Sequence, residues 1–190
     1  GLIGCAVIAV MALTSVPTQA ATKTTKDLIV KSTDESDHTI KAVKGGHTYT
    51  IDATNAKLKK ASKGNKTLKF SDIKDGDVLD VKGAVDSDHD VTATEVRDLS
   101  TTSSAKMYGI VKEINSTTQT VKIETTDRGE LTVAILKSTS IKYDGKKKKF
   151  VDIREDDKVL VTGTWSHSKK TITKTKKFYI LVKDDYTKLD

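Results

Sequence analysis

The chain has 190 residues, 36% hydrophobic and 31% charged, with a formal net charge of +7. Aromatics make up 5%, and there is one Cys and one Pro. One Cys excludes a disulfide within the chain, thiol-pair redox chemistry and Cys-based zinc sites, so the fold must stand on its packed core.

Residues 2–16 are almost wholly apolar, and Val16-Pro17-Thr18-Gln19-Ala20-Ala21 then leads into lastingly polar sequence. Thr18 and Ala20 suit a signal peptidase, so residues 1–21 are expected to be a signal peptide, cleaved near Ala20. The apolar run is short for a membrane span of about 20 residues. With Gly in first place, a start Met and basic region are expected upstream. Leu2-Ile3-Gly4-Cys5 resembles a lipobox, but apolar sequence continues past Cys5, which makes Cys5 a residue of the hydrophobic region. The expected location is outside the cytoplasm, in the envelope or the extracellular space.

The next segments carry strand signals. Leu28-Ile29-Val30-Lys31 is a strand, Asp34 to Asp37 a turn, and Thr39 to Val43 a second strand. Gly45-Gly46 turns into His47 to Ile51, where Tyr49 and Ile51 alternate with Thr48 and Thr50, the period of a half-buried strand. Ala56 to Leu58 is a short strand, and Lys59 to Lys69 a loop. Phe70 and Ile73 plug a core around one helical turn. Asp75-Gly76-Asp77 turns into Val78 to Val81, Gly83 ends that strand, and Val91 to Val96 is the last. Residues 100–105 have linker composition. Further strands are expected near 107–114, 119–125, 130–136, 140–143, 158–163 and 171–182, before a tail at 184–190.

The second series restates the first. Lys69-Phe70-Ser71-Asp72-Ile73 aligns with Lys149-Phe150-Val151-Asp152-Ile153, and Asp77 to Gly83 with Asp157 to Gly163. Upstream, Ile29-Val30-Lys31 pairs with Ile110-Val111-Lys112, and Thr39-Ile40-Lys41 with Thr120-Val121-Lys122. The expected architecture is all-β: two tandem small OB-like β-barrels, residues 27–99 and 106–183. The copies differ in surface charge. Residues 27–99 hold 12 Lys and Arg against 14 Asp and Glu, whereas 106–183 hold 18 against 9. Divergent surface charge is where partner choice lives.

The repeated Phe-x-Asp-Ile-x-x-x-Asp at 70–77 and 150–157, with the Ile-Val-Lys and Thr-Val-Lys segments before it, resembles the bacterial domain of unknown function 5666 family. The resemblance covers nearly all of both repeats. It implies export and OB-like barrels, often in tandem, and no activity. The second copy departs from it where Asp156 replaces Gly76.

OB-like barrels bind between the first hairpin loop and the loop joining strands four and five. In the first repeat these loops carry Asp34, Glu35, Asp37, His38, Asp86, Asp88, His89 and Asp90. Carboxylates with imidazoles suit a divalent cation, although Asp is also an ordinary turn residue bonding its own backbone. The second repeat carries Trp165, His167, Lys169 and Lys170 in the matching loop, and the run Lys146, Lys147, Lys148, Lys149 before its Phe-x-Asp turn. Cations around a ring are how OB-folds hold polyanions. Export favours an anionic cell-wall polymer or an envelope protein over nucleic acid. No metal-hydrolase His motif, nucleophile elbow or phosphate loop occurs, so no enzyme is expected and no cofactor beyond the divalent cation. The expected function is binding or scaffolding outside the cytoplasm; a structural spacer without a ligand is the alternative.

Overall fold

The structure, a computed structural model, describes residues 21–61, 66–182 and 186–189. Residues 1–20 of the expected signal peptide, Cys5 among them, and parts of the 184–190 tail lie outside the described residues.

The first sheet contains β1 (Thr22–Asp34), β2 (Thr39–Lys44), β3 (His47–Asp52), β4 (Lys57–Lys60), β5 (Val78–Val85) and β6 (Asp90–Asp98). Its pairings run β1–β2–β3–β6–β5 and back to β1, closing a five-stranded barrel. The β3–β6 pairing is parallel, and the other four are antiparallel. This is the OB-like all-β architecture expected from the sequence. β4 stands outside the ring, parallel to the far end of β6.

The second sheet contains β7 (Ser104–Asn115), β8 (Thr120–Thr125), β9 (Gly129–Ala134), β10 (Ser140–Tyr143), β11 (Lys146–Lys147), β12 (Lys158–Ser166) and β13 (Thr171–Ile180). The same cycle of pairings recurs as β7–β8–β9–β13–β12 and back to β7. β10 takes the place of β4, and β11 adds to its outer edge.

Each sheet wraps its own apolar core. Leu28, Val30, Ile40, Ile51, Ile73, Leu79 and Val96 fill the first. Met107, Val111, Ile123, Leu131, Val161, Ile172 and Phe178 fill the second. The repeated motif supplies a 3-10 turn at Phe70–Asp72 and another at Phe150–Asp152. Its aspartates work as backbone acceptors. Lys69 N–H donates to Asp72 Oδ2 at 3.2 Å and Lys74 N–H to Asp77 Oδ2 at 2.8 Å. Lys149 and Arg154 N–H donate to Asp152 and Asp157 in the same way, both at 2.8 Å. Gly83 and Gly163 sit where strands crowd: a Cβ would lie 2.3 Å from Thr92 O in one case and 2.6 Å from Ile172 Cγ2 in the other. The motif is therefore spelled by plug, cap and close approach.

A third apolar cluster joins the two sheets. Ile29, Val43 and Val78 of the first pack with Tyr108 and Leu160 of the second and with Tyr186. These residues sit where strand alternation fails. Leu28, Ile29 and Val30 are consecutive and all buried, because Leu28 and Val30 face the core while Ile29 faces the neighbouring sheet.

Polar contacts fix the docking. Arg128 forks onto Asp77, with Nε on Oδ1 and Nη2 on Oδ2, both at 2.6 Å. Lys106 pairs with Asp27. The segment expected to be a linker is packed: Ser100 is fully buried, accepts from Val78 N–H at 2.9 Å and donates to Lys106 O at 2.7 Å. Gly76, at φ +80°, presses against the β8–β9 turn, where a Cβ would meet Thr126 Oγ1 at 2.6 Å.

Candidate anion-binding face

The acidic loops of the first barrel are self-satisfied at two carboxylates. Asp34 Oδ1 accepts from Ser36 N–H at 3.0 Å, Ser36 Oγ at 2.6 Å and Asp37 N–H at 3.4 Å. The hydroxyl and these amides hold the Asp34 carboxyl below the usual range. Asp86 Oδ1 accepts from Asp88 and Asp90 N–H, both at 2.9 Å. His38 packs edge-on against Phe70 with centroids 5.1 Å apart, and His89 stacks on His47 at 4.3 Å. Asp86 and Asp90 line one open groove together with Asp52, while Glu35 lies on a different one beside Asp75 and Asp127. Among the described residues, no group of three or more His, Cys, Asp or Glu is placed to hold a metal ion. Asp34, Glu35, Asp37, His38, Asp86, Asp88, His89 and Asp90 thus share a region of the barrel without converging on a point.

The basic residues of the second sheet divide into two groups. Trp165 pairs across from Ile172 and belongs to the core, with 8% exposure. His167 stacks on it at 3.4 Å, and Arg128 lies 5.7 Å from its ring. Burial, then the charges of Arg128 and Lys60, lowers the His167 pKa. Lys169 and Lys170 lie in the β12–β13 turn beside this pair. The run Lys146 to Lys149 is elsewhere, near Ile180, since Tyr143 pairs with both Lys146 and Ile180. Positions 172 and 180 are separated by roughly 25 Å of extended strand. The expected union of Trp165 with the four-Lys run therefore does not form.

Another aromatic serves that run. Lys142 pairs across from Lys147 on β11 and from Tyr179 on β13. The Nζ atoms of Lys142 and Lys177 lie 5.8 and 5.7 Å from the Tyr179 ring, and Lys148 Nζ lies 5.8 Å from Tyr143. Tyr143 is 38% exposed. Beside them runs an open groove of about 370 Å³ lined by Lys142, Asp144, Tyr179, Leu181 and Tyr186, among others.

The first barrel shows what is unusual here. Lys57, Lys59 and Lys60 stand on β4 as Lys142 stands on β10. Lysines on an edge strand discourage pairing with another chain, a role that needs no ligand. In the first barrel the cation is neutralised: Lys59 Nζ lies 2.7 Å from Glu95 Oε2. The register places Lys177 where Glu95 stands, since Glu95 pairs with Lys82 and Lys177 with the aligned Thr162. Among the described residues no carboxylate lies within 4 Å of the Lys142 or Lys177 ammonium. A neutralised pair has become two like charges over one ring.

Sequence reasoning named the lysine run but missed Lys142, Lys177, Tyr143 and Tyr179. The available signal was Lys142-Tyr143 beside the run and Lys176-Lys177-Phe178-Tyr179 in a strand. No protein-family model matches the chain, and a search of curated proteins finds no match.

Proposed function

We propose that the protein is a non-enzymatic binding module acting outside the cytoplasm, and that the β10–β11–β13 face holds an anionic polymer. One observation carries the reading: Lys142 and Lys177 stand side by side over Tyr179 where the first barrel places a Lys with a Glu. Two cations over one ring, with no carboxylate within 4 Å of either among the described residues, repel, and a bound anion relieves them. Lys147, across from Lys142, carries the positive field onto β11, while Lys146 and Lys148 stand with Tyr143 on the other side of the pleat. Strand spacing of about 4.8 Å sets the lysines at intervals suited to an extended, regularly charged chain rather than to one small anion. Lysine ammonium groups are compact point charges, which suit flexible anionic groups better than a fixed bidentate acceptor. The resemblance of the repeated motif to an exported family supports the location.

Binding to heparin and to long-chain polyphosphate tests this. The protein should be retained on both at low salt and released as salt rises, and Lys142→Glu with Lys177→Glu should abolish retention without lowering the melting temperature. Equal retention by the double variant, or none by the wild type, ends the proposal.

A further inference from the structure

A buried polar cluster at the junction of the two sheets is not used by that face. Asp98, the last residue of β6, is fully buried. Its Oδ1 accepts from Ser100 N–H at 2.7 Å and Thr101 N–H at 3.2 Å, while its Oδ2 has no hydrogen-bond partner among the described residues. In the second sheet the same place, opposite Val159 as Asp98 is opposite Leu79, is taken by Ile180. Where the second sheet has an aliphatic side chain in its core, the first has a carboxyl.

Its charged surroundings are unbalanced. From the turn before β5 comes Asp77, and from the β8–β9 turn comes Arg128. Arg128 is already engaged at both ends of its fork by Asp77. Asp127 also acts on Arg128, and Asp75 is held above its ordinary value by burial, then by Asp127 and Asp77. Lys60 is the backbone neighbour of Asp98 on β4, and Lys74 acts on Asp75. Asp77, Asp98 and Asp127 thus act on one guanidinium; Asp77 and Asp98 are both buried, and Asp77 takes both ends of the fork.

We propose that Asp98 is a proton-operated latch: its carboxyl is protonated when the sheets are docked, and its ionisation favours their separation along the 99–103 connection. The protonated oxygen is neutral, as Ile180 is at the matching place. Ionisation puts a second negative charge beside the Asp77–Arg128 pair, with one oxygen unpartnered. Separation lets water reach that oxygen. Burial first, then the charge of Asp77, pushes the Asp98 pKa up from 3.8 to about 7, against the pull of the Ser100 amide, Arg128 and the Thr101 amide. The folded value lies above the unfolded one. The stabilisation is therefore complete below about pH 4 and is lost as pH rises through about 7.

Three measurements on the full chain test the latch. Carbon-13 NMR should show the Asp98 carboxyl titrating near neutrality; a midpoint below pH 5 overturns the proposal. The wild-type melting temperature should fall by on the order of 5 °C between pH 5.5 and 8.5, with Asp98→Asn removing most of that slope. Equal slopes in the two proteins overturn it. Small-angle scattering should show a larger maximum dimension for the wild type at pH 8.5 than at pH 5.5; unchanged dimensions overturn the opening step. The NMR and scattering measurements need no variant, so poor folding of Asp98→Asn leaves the test intact.

Discussion

The turns 74–77 and 154–157 have one backbone and two fates. In each, the final Asp accepts from the N–H three residues earlier, and the third residue has positive φ, +80° at Gly76 and +66° at Asp156. In each, the turn bonds the first strand of its sheet: Gly76 N–H donates to Val30 O, and Asp156 N–H to Val111 O. The first turn is pressed against the neighbouring sheet, with Asp77 1% exposed and Arg128 forked onto it. The second faces solvent. The same motif can therefore be a local brace or a docking element. One residue marks the difference, because Gly76 has no Cβ to strike Thr126 and Asp156 does.

The largest effect that could break this comparison is at the Asp itself. Asp77→Ala should cost about 3–5 kcal/mol in urea unfolding, since it strands Arg128 without its partner. Asp157→Ala removes only a backbone acceptor and should cost about 1 kcal/mol. Similar losses at the two positions would mean that the Arg128 pair contributes nothing beyond the brace.

Exchanging the marker residues comes next. Gly76→Asp drives a side chain into Thr126 and should destabilise by about 1–3 kcal/mol, with looser docking seen by scattering. Asp156→Gly should change stability by less than about 1 kcal/mol. A benign Gly76→Asp would show that the close approach to Thr126 is dispensable.

The smallest stability effect sharpens the contrast between the two edges. Lys177→Glu rewrites the second sheet as the first, giving Lys142 the partner that Lys59 has in Glu95. Stability should rise by about 0.2–1 kcal/mol, the scale of an exposed ion pair, while polyanion retention drops. A gain in retention would contradict the proposed face.

Much of the first barrel was legible. Tyr49 and Ile51 announce the pleat of β3, and the Phe-x-Asp-Ile plug lies where the repeat places it. The docking was harder to see, because one sequence marks a strand as buried without naming what covers it. Leu28-Ile29-Val30 and Val159-Leu160-Val161 did carry the clue, in alternation lost to burial on both faces. Trp165 shares strand parity with Val159 and Val161 and aligns with Val85 of the first repeat, which points to the core as well as to a stacking ring; the structure places it in the core. The anion-binding candidate was only half legible. It needs β10 and β13 side by side, a parallel pairing between segments more than thirty residues apart.

The docking of the two sheets is head-to-tail, and each carries only half of it. The first offers Ile29, Val43 and Val78; at the corresponding places the second has Ile110, Glu124 and Lys158. The second offers Tyr108, Leu160 and Tyr179; there the first has Asp27, Asp80 and Arg97. A contact between unlike surfaces propagates into a fibre when every unit bears both. Asp27, Asp80 and Arg97 at one of these surfaces and Glu124 and Lys158 at the other disfavour the same contact with a further copy, so the charges that break the symmetry of the two sheets also act against open-ended growth.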